Sequence, residues 1–170
     1  HSALQISRKI DYALRAAIKL AELPEGKVMS FREIARIEQI PEEFLAKILR
    51  TMVSSGLIRS VRGPKGGYLL ARPSQDITFL DVIEAAEGPV VINMCLQDEN
   101  VCPIQTGCSM VNVWAKAQNA MLDVLKGTSL EDVLRTGSKS KGEALQLDPT
   151  NESSPISLGQ TAMGSCSSCG

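Results

Sequence analysis

Three cysteines, Cys95, Cys102 and Cys108, stand in the short run MCLQDENVCPIQTGCSM with the spacing Cys-x6-Cys-x5-Cys. Thiolates are soft ligands. Three of them in one loop can hold an iron–sulfur cluster, or zinc if a fourth donor completes the shell. Small secreted domains use close cysteines as a disulfide framework instead. Here the start of the chain, HSALQISRK, lacks the apolar core of a signal peptide, and no apolar run is long enough to span a bilayer. A cytoplasmic location without membrane association is therefore expected, and metal ligation is favoured over disulfides. A further possibility needs no metal: the three thiols oxidise to a disulfide. Pro103, next to Cys102, would stiffen the loop. A second pair, Cys166-Ser-Ser-Cys169, offers a redox pair, an auxiliary metal hook or simply exposed thiols.

The loop must be positioned by what flanks it. Ile10, Ala13, Leu14, Ala17, Ile18 and Ala21 recur at helical spacing, predicting a helix from about Ser7 to Leu23 that Pro24 and Gly26 terminate. Ser30 and Glu33 form a capping-box signature for a short second helix, with Ile34, Ala35 and Ile37 on its apolar side. Pro41 opens a third helix whose expected buried stripe is Phe44, Leu45, Ile48, Leu49 and Met52, and Gly56 stops it. The run LIRSVRGPKGGYLLARP then reads as two short strands, Leu57 to Val61 and Tyr68 to Ala71, around a glycine-rich turn. Thr78 caps a helix from about Phe79 to Ala86, and Gly88-Pro89 lead into the cysteine loop.

After the loop, Val111, Trp114, Ala117, Met121 and Leu125 predict a helix from about Ser109 to Leu125 with one apolar face. A helix outside a small domain needs a partner surface, and a second copy of the chain supplies one. A last short helix is expected from Thr128-Ser129-Leu130-Glu131 to about Thr136. Residues 137–170 contain no aromatic residue and 15 Ser, Gly or Pro, and are expected to form a disordered tail. The fold class is thus mainly α with a small β-hairpin wing: a winged helix-turn-helix plus a long dimerisation helix. The divisions expected are 1–88 for DNA binding, 89–108 for the cysteine loop, 109–136 for dimerisation and 137–170 for the tail.

Net charge is only −1, but residues 1–75 hold 13 Lys/Arg against 7 Asp/Glu, while residues 76–170 hold 5 against 12. Such an asymmetry suits a DNA-binding end joined to a part with another task. On the third helix, Glu43, Ala46, Lys47 and Arg50 alternate with the apolar stripe and are candidates to enter the major groove. Arg62, Gly63, Lys65 and Gly66 form the hairpin tip, where an arginine suits a narrow minor groove. Ser7, Arg8, Lys9 and Arg32 are candidate phosphate contacts. There is no P-loop-type phosphate cradle and no Ser/His/Asp set, and the only histidine is His1, so an enzyme is not expected.

The runs IDYALRAAIKLA, SFREIARIEQIPEEFLAKILRTMVSSGLI and SVRGPKGGYLLARP, with the three-cysteine loop before a long helix, resemble the Rrf2 family of bacterial regulators over about residues 5–136. The resemblance implies a homodimeric winged-helix transcription factor that binds double-stranded promoter operators. In sensing members it implies an iron–sulfur cluster, 4Fe–4S or 2Fe–2S, on the loop cysteines. Such a cluster would answer nitric oxide, redox state or iron status. Other members lack a cluster and respond through a partner protein. The first cysteine gap here is one residue longer than is usual among cluster-binding members. Some members add a histidine soon after the third cysteine, but Val111 stands at that place. Others use an aspartate on the first helix, reaching across the dimer; the matching residue is Asp11, which could equally form an ion pair with Arg15 four residues on. Still others bind with three cysteines alone.

Overall fold

The computed structural model describes residues 6–93, 96 and 108–139. The first helix, α1 (Arg8–Ala21), is capped by the Ser7 hydroxyl, which accepts from the Ile10 N–H at 3.3 Å. It buries Ile10, Ala13, Leu14 and Ala17 of the expected stripe together with Ala16 and Leu20, while Ile18 and Ala21 are only partly buried. It ends two residues before the expected Leu23.

Helix α2 (Phe31–Glu38) has the complete capping box: Ser30 accepts from the Glu33 N–H, and Glu33 accepts from the Ser30 N–H at 3.1 Å. Ile34 and Ala35 are buried, but Ile37 faces outward, against expectation. The inward line of α2 continues instead through Glu38, whose carbonyl and carboxylate are both held by Arg15 of α1. Gln39 then adopts a left-handed conformation (φ 52°), and the Ile40 N–H bonds back to the Ala35 carbonyl at 3.0 Å. That turn swings the chain into α3 (Glu42–Ser54).

Helix α3 buries Leu45, Ile48, Leu49 and Met52, but Phe44 is 55% exposed, which corrects the expected stripe. Its ring stands edge-on to Tyr12 of α1, with centroids 6.3 Å apart. The end of α3 is a Schellman motif: the Gly56 N–H bonds to the Val53 carbonyl, and the Leu57 N–H to that of Met52. Met52 and Leu57 are both in the core, so the motif's hydrophobic closure is present.

Strands β1 (Ile58–Val61) and β2 (Gly67–Leu70) pair antiparallel, with Ser60 opposite Tyr68. Met29 adds a bridge on the far side of β2, exchanging backbone bonds of 3.0 and 2.8 Å with Tyr68. The close approach demands glycine. A Cβ on Gly67 would sit 2.4 Å from the Met29 carbonyl oxygen, and one on Gly66 2.2 Å from that of Val61.

Helix α4 (Phe79–Glu87) carries a second capping box, Thr78 with Asp81, and packs across α1. Helix α5 (Ser109–Gly127) contributes no buried residue. The chain then returns: Thr128 and Leu130 exchange backbone bonds with Phe79 and Ile77. Leu130 heads α6 (Leu130–Lys139), which packs on α1 and the Ser74–Asp76 turn, and is fully buried in the core. Helix α6 runs three residues past the boundary expected at Thr136. No helix among the described residues is long and apolar enough to cross a membrane.

Candidate nucleic-acid interface and sensor residues

The α2–turn–α3 unit and the β1–β2 hairpin share one surface. Glu43, Lys47 and Arg50 are exposed on α3, and Ala46 is half-buried among them. Arg62, Gly63 and Lys65 are exposed at the hairpin tip, and Gly66 is half-buried behind them. Arg32 is exposed on α2, as is Arg36, which the sequence reading omitted. Helical wheel position alone, opposite Ile34 and Ala35, would have found it.

Cations without carboxylate partners are concentrated on this surface, six of them on α2, α3 and the hairpin tip. Arg15, Lys19, Arg72 and Arg135 each have a carboxylate partner. Among the described residues, none of Arg32, Arg36, Lys47, Arg50, Arg62 and Lys65 has one. Cations left uncompensated on a convex helix and a protruding hairpin create the potential that attracts a polyanion.

Ser7, Arg8 and Lys9 lie at the start of α1. Ser7 is engaged structurally: besides capping α1 it donates to Glu87 Oε1 at 2.6 Å, tying α1 to the end of α4. Arg8 and Lys9 are exposed.

An open notch of about 430 Å³ lies between α3 and the hairpin, lined by Phe31, Ala46, Arg50, Val53, Ser54, Ser60 and Tyr68. Of these, only Ala46 and Arg50 were singled out from sequence. The others come from four separate elements, so no local spacing signals them.

Of the sensor candidates, Cys95 and Cys102 lie outside the described residues, as does the Cys166/Cys169 pair. Cys108 is a half-buried free thiol at the N-cap position of α5, and its side chain makes no capping hydrogen bond. Its sulfur is available at a helix terminus that favours negative charge. The stem of the loop is fixed from the other side, where the Ile92 N–H donates to Gln118 Oε1 at 3.1 Å.

Asp11 projects from α1 with its side chain 55% exposed and accepts from Arg15 at 3.3 Å. At that exposure the pair is worth only a few tenths of a kcal/mol. Arg15 also donates to the Glu38 carbonyl at the end of α2 and stacks near the Tyr12 ring at 5.8 Å. One guanidinium therefore joins Asp11 to the turn that aims α3.

On α5 the expected residues Val111, Trp114, Ala117, Met121 and Leu125 share one side of the helix, and Met110, Val113 and Val124 extend it. Val111, Met121 and Leu125 are half-buried, with Leu125 against the core. Met110, Val113, Trp114 and Val124 are exposed, Val124 by 67% and Trp114 by 40%. Their spacing, with Ala117 between, makes a continuous outer stripe.

Comparison with known proteins matches these features. A family model described as Rrf2, iron-dependent transcriptional regulator, fits residues 6–136. Protein aau3 of Rhizobium meliloti is 32% identical over 133 residues, covering 78% of this chain and 86% of that protein. CymR, the global cysteine regulator of B. subtilis, superimposes with a TM-score of 0.64 at 28% identity, covering 77% of this chain and 96% of that chain. IscR of T. potens also gives 0.64, at 27% identity, covering 85% and 94%. A winged helix with an unpaired cationic face, matched to the family model over nearly all its described length, places this chain in the Rrf2 family of transcriptional regulators.

Proposed function

We propose that the chain works as a homodimer on operator DNA and that an iron–sulfur cluster on Cys95, Cys102 and Cys108 controls its binding. What carries the DNA part is the set of uncompensated cations on α2, α3 and the wing. Helix α3 presents Lys47 and Arg50 to base edges and phosphates in the major groove, and Glu43 accepts from a cytosine amino group. The wing tip carries Arg62 and Lys65 into the adjacent minor groove. Arg8, Lys9 and Arg32 meet phosphates. The dimer rests on the outer stripe of α5, an apolar face that a second copy would cover.

The donor set suits a cluster. Cys108 offers its thiol without a competing capping role, and Asp11 offers a carboxylate held only by a weak ion pair. A bound cluster of either common type would supply an iron centre sensitive to nitric oxide, redox state or iron supply. Asp11 would serve as the weak fourth ligand, reaching from the partner copy. Recruiting Asp11 withdraws one partner from Arg15, which holds the α2–α3 turn through Glu38. Only the difference in that hold between the two states can shift DNA affinity.

A second reading is favoured by the likeness to CymR, of which an oxidised form from Staphylococcus aureus is 31% identical to this chain with a TM-score of 0.61. In it, the loop thiols act by oxidation, by zinc or through a partner protein, without a cluster.

The test is the visible absorption of anaerobically purified protein, with iron and sulfide counted on the same sample. Brown protein containing both is expected. It should become colourless when any one of Cys95, Cys102 or Cys108 is changed to Ala, and stay brown for Cys166→Ala or Cys169→Ala. Wild-type protein without iron after anaerobic reconstitution would move the sensor to the second reading and leave the DNA assignment intact.

A further inference from the structure

The notch between α3 and the wing has a definite relation to duplex geometry. The major and minor grooves are neighbours separated by a single sugar–phosphate strand. A protein with a helix in one groove and a hairpin in the next must let that strand pass between them. Here the gap is not filled by side chains; it is open and about 430 Å³ in volume.

Its lining matches such a strand. Ala46, Arg50, Val53 and Ser54 fall on one side of α3 at spacings of four and three to four residues. Ser60 and Tyr68 face them from β1 and β2, where they are direct cross-strand partners. Phe31, Ala46 and Val53 provide apolar surface for a deoxyribose. Arg50 provides a cation that has no carboxylate partner among the described residues, and no carboxylate lines the notch. Ser54 already donates to the Arg50 carbonyl at 3.0 Å, which leaves the hydroxyls of Ser60 and Tyr68 as neutral donors. Neither of these donates within the described structure.

We infer that this notch seats one phosphodiester, with its deoxyribose, of the DNA strand lying between the two grooves. Arg50, Ser60 and Tyr68 grip the phosphate, and Phe31 and Val53 pack on the sugar. The inference rests on the placement of α3 and the wing in adjacent grooves. It makes the notch the pivot that sets the angle between them, because a phosphate clamped there fixes the register of both.

The experiment uses the full chain and a duplex that it selects from a random-sequence pool. Phosphates are replaced singly by uncharged methylphosphonates. In the wild type, one replacement on the strand between the grooves should weaken binding about 10-fold. Arg50→Gln should weaken the unmodified duplex by a similar factor, lower the salt slope by about 0.9, and become insensitive to that same replacement. Tyr68→Phe, which keeps the ring packing, should lose several-fold in affinity only while that phosphate is charged. Effects of Arg50→Gln that simply multiply with every methylphosphonate would overturn the seat. If Arg62→Ala also leaves affinity unchanged, the placement of the wing fails with it. If Arg62→Ala weakens binding while the notch variants behave as wild type, the seat alone is wrong.

Discussion

The α2-to-wing surface and the outer face of α5 are both exposed, but in opposite chemical ways. The first presents arginines and lysines without carboxylate partners. The second presents Met110, Val113, Trp114 and Val124. Water tolerates the first indefinitely, and the charge waits for a polyanion. It tolerates the second poorly, so that face asks for another apolar surface. The two faces meet in one core through α1 and α4, with Leu130 as the peg that brings the chain back from α5. Of the sensor candidates among the described residues, Asp11 lies on α1 and Cys108 at the head of α5.

The contrast can be broken at several points. The largest effect is expected from Leu130→Ala, which removes a fully buried side chain and should cost about 2–5 kcal/mol in denaturant unfolding. A smaller loss would mean that the α5–α6 return is not anchored in the core. Next, Val113→Glu with Trp114→Glu should weaken self-association by at least roughly 2–4 kcal/mol, read by sedimentation, while the monomer keeps its helical content. An unchanged dimer would assign the outer stripe to another purpose. Arg62→Ala should weaken operator binding by about 1–3 kcal/mol at moderate salt, and unchanged affinity would take the wing out of the groove.

The smallest effect concerns acid. The Ser129 N–H donates to Asp132 at 3.0 Å, and this hydrogen bond holds the carboxyl below its ordinary value near 3.8. A lowered folded-state value stabilises the cap above that ordinary value, and the contribution disappears as pH falls through the folded one. The protection of α6 amides, taken relative to the intrinsic exchange rate at each pH, should therefore fall below about pH 4 in the wild type. Asp132→Asn should show the lower protection already at neutral pH; equal protection factors at both pH values would show that the cap is idle.

Where local chemistry decides the outcome, the sequence was enough. The capping box at Ser30/Glu33, the cap at Thr78, the stop at Gly56, and the glycine-rich turn all formed within a residue or two of expectation. Departures arose where tertiary packing chooses among apolar residues. Phe44 and Ile37 satisfy helical periodicity, yet α3 rolls so that Leu45 and Leu49 point inward and Phe44 is left against Tyr12. On α5 the apolar arc is wider than the five residues expected, and periodicity cannot say how much of it the domain covers. The cationic candidates on α3 and the wing were legible because charge and spacing mark them. Ser60 and Tyr68 were not, because a notch assembled from four elements leaves no signature in any one of them.

The most direct test of sensor-controlled reading is operator affinity measured twice on one anaerobic preparation, before and after iron is removed by chelation, at fixed salt. Control by the loop cysteines predicts that affinity changes about 5- to 150-fold, the usual span of allosteric coupling. It also predicts that the Cys108→Ala variant has the chelated value throughout. The same affinity before and after, on protein whose iron loss has been confirmed, would contradict the account.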